Sequence, residues 1–67
     1  MITLTINGDK REVPEGLTLA TLLTHLGLDP RMVVVEQNRV IVRKNAIADA
    51  KVTAGDEIEI VHFVGGG

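Results

Sequence analysis

The sequence closes on Val64-Gly65-Gly66-Gly67, and the carboxyl group of Gly67 is the first place to look for chemistry. A terminal carboxylate has a pKa of about 3.5 and is ionised at neutral pH. In that form it is a poor electrophile. It becomes reactive when it is given a good leaving group such as AMP, and a sulfur nucleophile displacing AMP would leave a thiocarboxylate. The chain has no cysteine, so a carried sulfur is expected on this terminus. Gly65 and Gly66 suit the approach. Glycine has no Cβ and is costly to order, so a run of it contributes nothing to a fold but passes through a channel that admits only backbone. Three residues reach roughly 10 Å when extended. The alternative is an unstructured end without a role. A phosphate-binding loop is excluded, because Gly65 to Gly67 opens no helix and no Lys-Ser or Lys-Thr comes after it.

Other candidates are weaker. His25 and His62 lie far apart and show no ligand spacing. His62 reads as a strand-surface residue and not as a catalytic base, and His25 suits the negative end of a helix. Asp56, Glu57, Glu59 and Glu36 read as solvated carboxylates that complement a basic partner and speed association, not as a metal site. Asp9, Glu12, Glu15 and Asp29 read as loop and surface charges. No nucleophile–base pair or metal constellation marks an independent enzyme. Val61 and Phe63 share the parity of Glu57 and Glu59, which places them on the outer side of the last strand beside the glycines. There they form a candidate docking patch for a partner. A bulge that turns Phe63 into the core edge is the alternative, and the sequence leaves the two open.

The elements that must position this end can be read from periodicity. Ile2, Leu4 and Ile6 alternate with threonines, the spacing of a half-buried strand. Asn7-Gly8 is a hairpin signal, Arg11 to Val13 a returning strand, and Pro14 its end. Thr18 suits a helix N-cap. Leu19, Leu22, Leu23 and Leu26 make one apolar helix stripe, Gly27 ends it, and Leu28 folds back on the last turn. Asp29-Pro30 keeps the helix from resuming. Met32 to Glu36 and Val40 to Val42 are strands around a turn at Gln37-Asn38-Arg39. Arg43 to Lys51 is ambiguous, with one helical turn possible at Ala46-Ile47-Ala48. Thr53 to Asp56 is a tight turn, and Glu57 to Val64 the last strand, with Ile58 and Ile60 facing the core. The prediction is an α+β chain: a β-grasp, or ubiquitin-like, domain over residues 1–64, with a mixed sheet of about four or five strands packed on one short helix, and a flexible glycine tail over 65–67.

The composition narrows the function. The chain has 67 residues, a formal net charge of -2 and 45% hydrophobic residues, and Phe63 is its only aromatic. That is one small domain with a thin core, and disulfides are excluded. The scattered Lys and Arg, without aromatic interleaving, argue against nucleic-acid binding. No apolar run reaches the roughly 20 residues that span a bilayer, and no signal peptide precedes the first strand. A soluble cytoplasmic protein, monomeric when free, is expected.

These pieces in this order are similar to the sulfur carrier family of thiamine (thiazole) biosynthesis along essentially the whole chain. The matching residues are Asn7-Gly8, Gly16-Leu17-Thr18, Leu22-Leu23, Leu26-Gly27, Val35-Glu36, Asn38, Gly55 to Ile60 and, most specifically, Val61 to Gly67. The resemblance implies that the protein is a carrier and not an enzyme. It implies no bound cofactor; an adenylating partner related to ubiquitin activators would use ATP and magnesium to activate Gly67. A sulfur donor protein with a persulfide would then supply the thiocarboxylate sulfur, and thiazole synthase would take it. Two departures, Arg39 after the turn asparagine and Val42 before Arg43, bear on turn geometry and lie away from the tail. Within the same class the alternative is the small subunit of molybdopterin synthase. Outside it stands a β-grasp binding module that needs no free Gly67 carboxyl.

Overall fold

Two hairpins flank one central strand, and among the described residues one α-helix covers one face of the sheet. The structure is a computed structural model and describes residues 1–63. Its elements are β1 (Ile2–Ile6), β2 (Asp9–Val13), α1 (Leu19–His25), β3 (Val33–Gln37), β4 (Val40–Val42) and β5 (Glu57–His62). The sheet order is β2-β1-β5-β3-β4. β5 runs parallel to β1 and antiparallel to β3, and both hairpins are antiparallel. The sheet is thus mixed, as the sequence pattern predicts, and has five strands where four or five are expected.

The hairpins are tighter than expected. Ile6 pairs with Asp9, so the loop is Asn7-Gly8 alone, with φ of 50° and 85°. Two consecutive left-handed residues match the twist of the flanking strands, and pairing begins at Asp9, not at Arg11. In the second hairpin Gln37 pairs with Val40, so Gln37 stays in β3 and the loop is Asn38-Arg39, with φ of 53° and 71°. Met32, expected in the strand, closes a 3₁₀ turn, Pro30–Met32. The Asp29 carboxylate caps that turn by accepting the Arg31 N–H at 2.9 Å.

Helix α1 starts and stops where its residue types dictate. Thr18 and Thr21 exchange capping bonds: the Thr18 N–H donates to Thr21 Oγ1 at 2.8 Å, and the Thr21 N–H donates to Thr18 Oγ1 at 3.3 Å. At the far end Gly27 takes φ of 78°. The Leu28 N–H reaches the Leu23 carbonyl at 2.9 Å and the Gly27 N–H the Thr24 carbonyl at 3.0 Å, which satisfies carbonyls the helix leaves free. The loop after β4 serves the other end. Leu19 and Ala20 donate their N–H groups to the carbonyls of Ala50 and Ile47, at 2.8 and 3.0 Å. Donors of the first helical turn, which have no partner inside the helix, are met there. Within this loop Ala50 bonds back to Ala46 at 3.0 Å, the single helical turn that residue types alone left open.

Leu19, Leu22 and Leu23 pack on Leu4, Ile6, Val13, Val33, Val35 and Ile58, with Ile47 and Val52 closing the rim. Burying each such side chain contributes roughly 1.5–3 kcal/mol, and a seven-residue helix depends on that packing to persist. The opposite face of the sheet carries no helix among the described residues. Nor, among them, is any helix long and apolar enough to cross a membrane.

Candidate functional site

The candidate site begins where β5 approaches the glycines. Val64, Gly65, Gly66 and Gly67 lie outside the described residues, and with them the expected end of the strand at Val64 and the tail over 65–67. The strand that leads to them is described, and so is the scaffold that holds it.

β5 is the central strand, and its alternation agrees with the sequence pattern. Ile58 is buried and Ile60 half-buried on the helix side, while Glu57 and Glu59 are exposed on the other. The two turn asparagines hold it from either flank, a role their turn propensity did not disclose. From the β1 side, Asn7 Oδ1 accepts the Ile60 N–H at 2.7 Å and Asn7 Nδ2 donates to the Ile60 carbonyl at 3.2 Å. From the β3 side, Asn38 Oδ1 accepts the Glu57 N–H at 2.9 Å, and Asn38 Nδ2 donates to Asp56 Oδ1 at 3.1 Å.

Asp56 corrects one expectation. It is not a solvated carboxylate on a partner-facing surface; it is 8% exposed. Its oxygens accept from Gln37 Nε2 at 3.0 Å, Asn38 Nδ2 at 3.1 Å, the Thr53 N–H at 2.9 Å and Thr53 Oγ1 at 3.1 Å. Burial acts to raise its pKa, but these hydrogen bonds outweigh it and hold the carboxyl below its ordinary range. The Asp56 network locks the 53–56 turn and joins it to the second hairpin. Glu57 and Glu59 remain exposed as expected, and Glu36 is half-buried. Among the described residues no group of three His, Asp or Glu side chains could hold a metal ion.

Val61 and Phe63 are both on the surface, 61% and 44% exposed. Of the two readings left open for Phe63, the core edge is set aside. Its N–H continues the β3 ladder by donating to the Met32 carbonyl at 2.8 Å, and no bulge turns it inward. The Lys44 ammonium stands 5.3 Å from the centre of its ring, within the range of a cation–π contact, while donating to the Arg31 carbonyl at 2.7 Å. Val61 pairs with Val34. With Met32 and Ile41, themselves exposed, these residues make the face of the sheet away from α1 apolar around Phe63. His62 is exposed, and its Nδ1–H donates to the Phe63 carbonyl at 2.8 Å, so it orders the strand end locally. His25 is exposed in the last turn of α1.

Residues 4–67 match the model of the ThiS family. The chain belongs to the ThiS family. Its β-grasp fold is shared with the crystal structure of the thiamine biosynthesis protein ThiS from Geobacter metallireducens, with a TM-score of 0.85 and 33% sequence identity over 98% of this chain and 100% of that one. The sulfur carrier protein ThiS of Bacillus subtilis is 38% identical over 96% of this chain and 98% of its own length. A thiazole synthase of Paramagnetospirillum magneticum is 47% identical over 64 residues, which are 96% of this chain but 20% of that protein. The chain therefore spans about a fifth of the length of that relative, and 19% of a second thiazole synthase, from Magnetococcus marinus. The family match extends through Gly65, Gly66 and Gly67.

Proposed function

We propose that this ThiS-family chain is a sulfur carrier of thiamine biosynthesis that works as an acyl co-substrate of partner enzymes. A Gly67 carboxylate oxygen attacks the α-phosphorus of magnesium-bound ATP on an adenylating enzyme, and pyrophosphate leaves. The outer sulfur of a persulfide on the sulfur donor attacks the acyl carbon, and AMP leaves. A thiol then reduces the acyl disulfide and releases the Gly67 thiocarboxylate, whose sulfur passes to thiazole synthase. Gly65 and Gly66 thread the partner's channel, and Val61 and Phe63 dock the body outside it.

The observation that carries the reading is the family match through residue 67, on a body whose central strand ends at His62, three positions before the first of the terminal glycines in sequence. Likeness to a carrier named for the thiamine pathway favours that pathway over the molybdenum cofactor. Two relatives named thiazole synthase contain a region like this chain, which supports thiazole synthase as the acceptor. Dependence on ATP suits a carrier that works in the cytoplasm, and free in solution it needs no second copy.

The test is the intact mass after incubation with the adenylating enzyme, ATP, magnesium and a persulfide donor. The expected gain equals the exchange of one oxygen for sulfur, and it disappears when one residue is added after Gly67. An unchanged mass, or loading indifferent to the added residue, rejects the carrier reading.

A further inference from the structure

We infer that Asn7 is a positioning residue for acyl transfer at Gly67: its side-chain amide sets the point at which β5 loses its second neighbour, and hence how much of the strand is held by β3 alone. The inference rests on the reading of Gly67 as the reacting terminus.

Strand β1 pairs with β5 only through Thr5 with Glu57 and Ile6 with Ile58. After Ile6 the chain turns away through Asn7 and Gly8 into β2. The Asn7 N–H still reaches the Ile58 carbonyl at 2.9 Å, and the parallel ladder should stop there. The Asn7 side chain carries it further. A primary amide offers one carbonyl acceptor and N–H donors, the same complement as a peptide unit. This one meets both backbone groups of Ile60, at 2.7 and 3.2 Å, and so substitutes for the peptide that β1 no longer provides.

Strand alternation sets the direction of the remaining backbone groups. Glu57 and Phe63 turn theirs toward β3, bonding to Asn38 and Met32. Ile58 and Ile60 turn theirs toward β1. His62 has the parity of Ile60 but lies past the Asn7 amide, and among the described residues no strand pairs with it on the β1 side. Ile60 is thus the last residue of β5 held on both sides among the described residues. Beyond it, Val61 to Phe63 are held by β3 alone. Without the amide, two-sided support ends at Ile58, and the stretch held by β3 alone lengthens by about 7 Å. A docked body would then present its terminus over a wider arc, and small misplacements of a reacting group are costly in rate.

Asn7→Gly is the informative variant. It removes the amide yet suits the positive φ, so the hairpin turn survives; Asn7→Asp keeps an acceptor for the Ile60 N–H and loses the donor to its carbonyl. Pyrophosphate release is followed at steady state with the full chain, ATP, magnesium, the adenylating enzyme, a persulfide donor and a thiol, alongside amide hydrogen exchange. Asn7→Gly is expected to lower kcat about tenfold with KM held within about twofold, and to speed exchange at Ile60 but not at Ile58. Asn7→Asp regains part of the loss. Asn38→Ala, which frees the opposite end of β5, lowers stability and leaves kcat unchanged. A wild-type kcat in Asn7→Gly despite faster exchange at Ile60 overturns the inference, as does an equal loss in Asn38→Ala. A wild-type chain that is never adenylated, whatever its exchange at Ile60, rejects the Gly67 reading itself, and the positioning role falls with it.

Discussion

The two halves of β5 share one strand and one pleat, yet they are built for opposite purposes. From Glu57 to Ile60 the strand is held on both sides, by β1 as far as Ile58 and by the Asn7 amide at Ile60, buries Ile58, and comes after a turn locked by Asp56. From Val61 onward it keeps β3 alone and shows its apolar side chains to solvent. The first half commits its side chains and backbone groups to the fold. Among the described residues the second commits neither fully. A carrier that presents Gly67, as proposed, needs a body that does not deform.

Substitutions sharpen this division. The largest effect is expected from Ile58→Ala, a cavity in the two-sided half, which should cost about 2–5 kcal/mol in urea unfolding. A cost below that range would mean that the centre of the sheet collapses around the gap. Next comes Asp56→Asn, which disturbs a buried carboxylate with four donors and should cost about 1–3 kcal/mol at neutral pH. The Asp56 pKa lies below its ordinary 3.8 when folded. The unfolded chain therefore binds more protons between the two values. The stabilisation is complete above the unfolded pKa and is lost as pH falls through the lower, folded one. Urea midpoints of wild type and variant should accordingly converge in strong acid; a constant gap would show that the charge of Asp56 is not what the turn uses.

Arg39→Gly should act in the other direction. Arg39 holds φ of 71° with only a 3.8 Å ion pair to Glu57, and an exposed pair of this kind contributes little. Relief of the left-handed backbone should raise stability by up to about 1 kcal/mol. A loss would assign that turn a role for the arginine side chain. The smallest stability change is expected from Phe63→Ala in the one-sided half, within about 0.5–1 kcal/mol, together with weaker binding to the adenylating partner by titration calorimetry. A large fall in melting temperature with binding intact would place Phe63 in the fold and not on the docking face.

Much of this could be read from residue types. The Asn7-Gly8 turn, the Leu19–Leu22–Leu23 stripe, the Gly27 stop and the inward parity of Ile58 and Ile60 are local patterns, each set by neighbours a few positions away. The burial of Asp56 is not legible in this way, because an acidic residue after Gly55 in a tight turn looks like any surface turn. Only Gln37 and Asn38, brought from the other hairpin, make it an interior group. The 43–51 loop is ambiguous for a similar reason: its purpose is to meet the first N–H groups of α1, which lie far away along the chain.

The chain by itself determined the elements, their inward faces and the bare glycine run, because steric preference and apolar periodicity act over a single turn of helix or a few residues of strand. The tertiary structure decided which strand became central and which side chains completed its ladder. Asn7 and Ile60 are 53 residues apart, and no local propensity encodes an amide standing in for a peptide until the sheet has brought the two together.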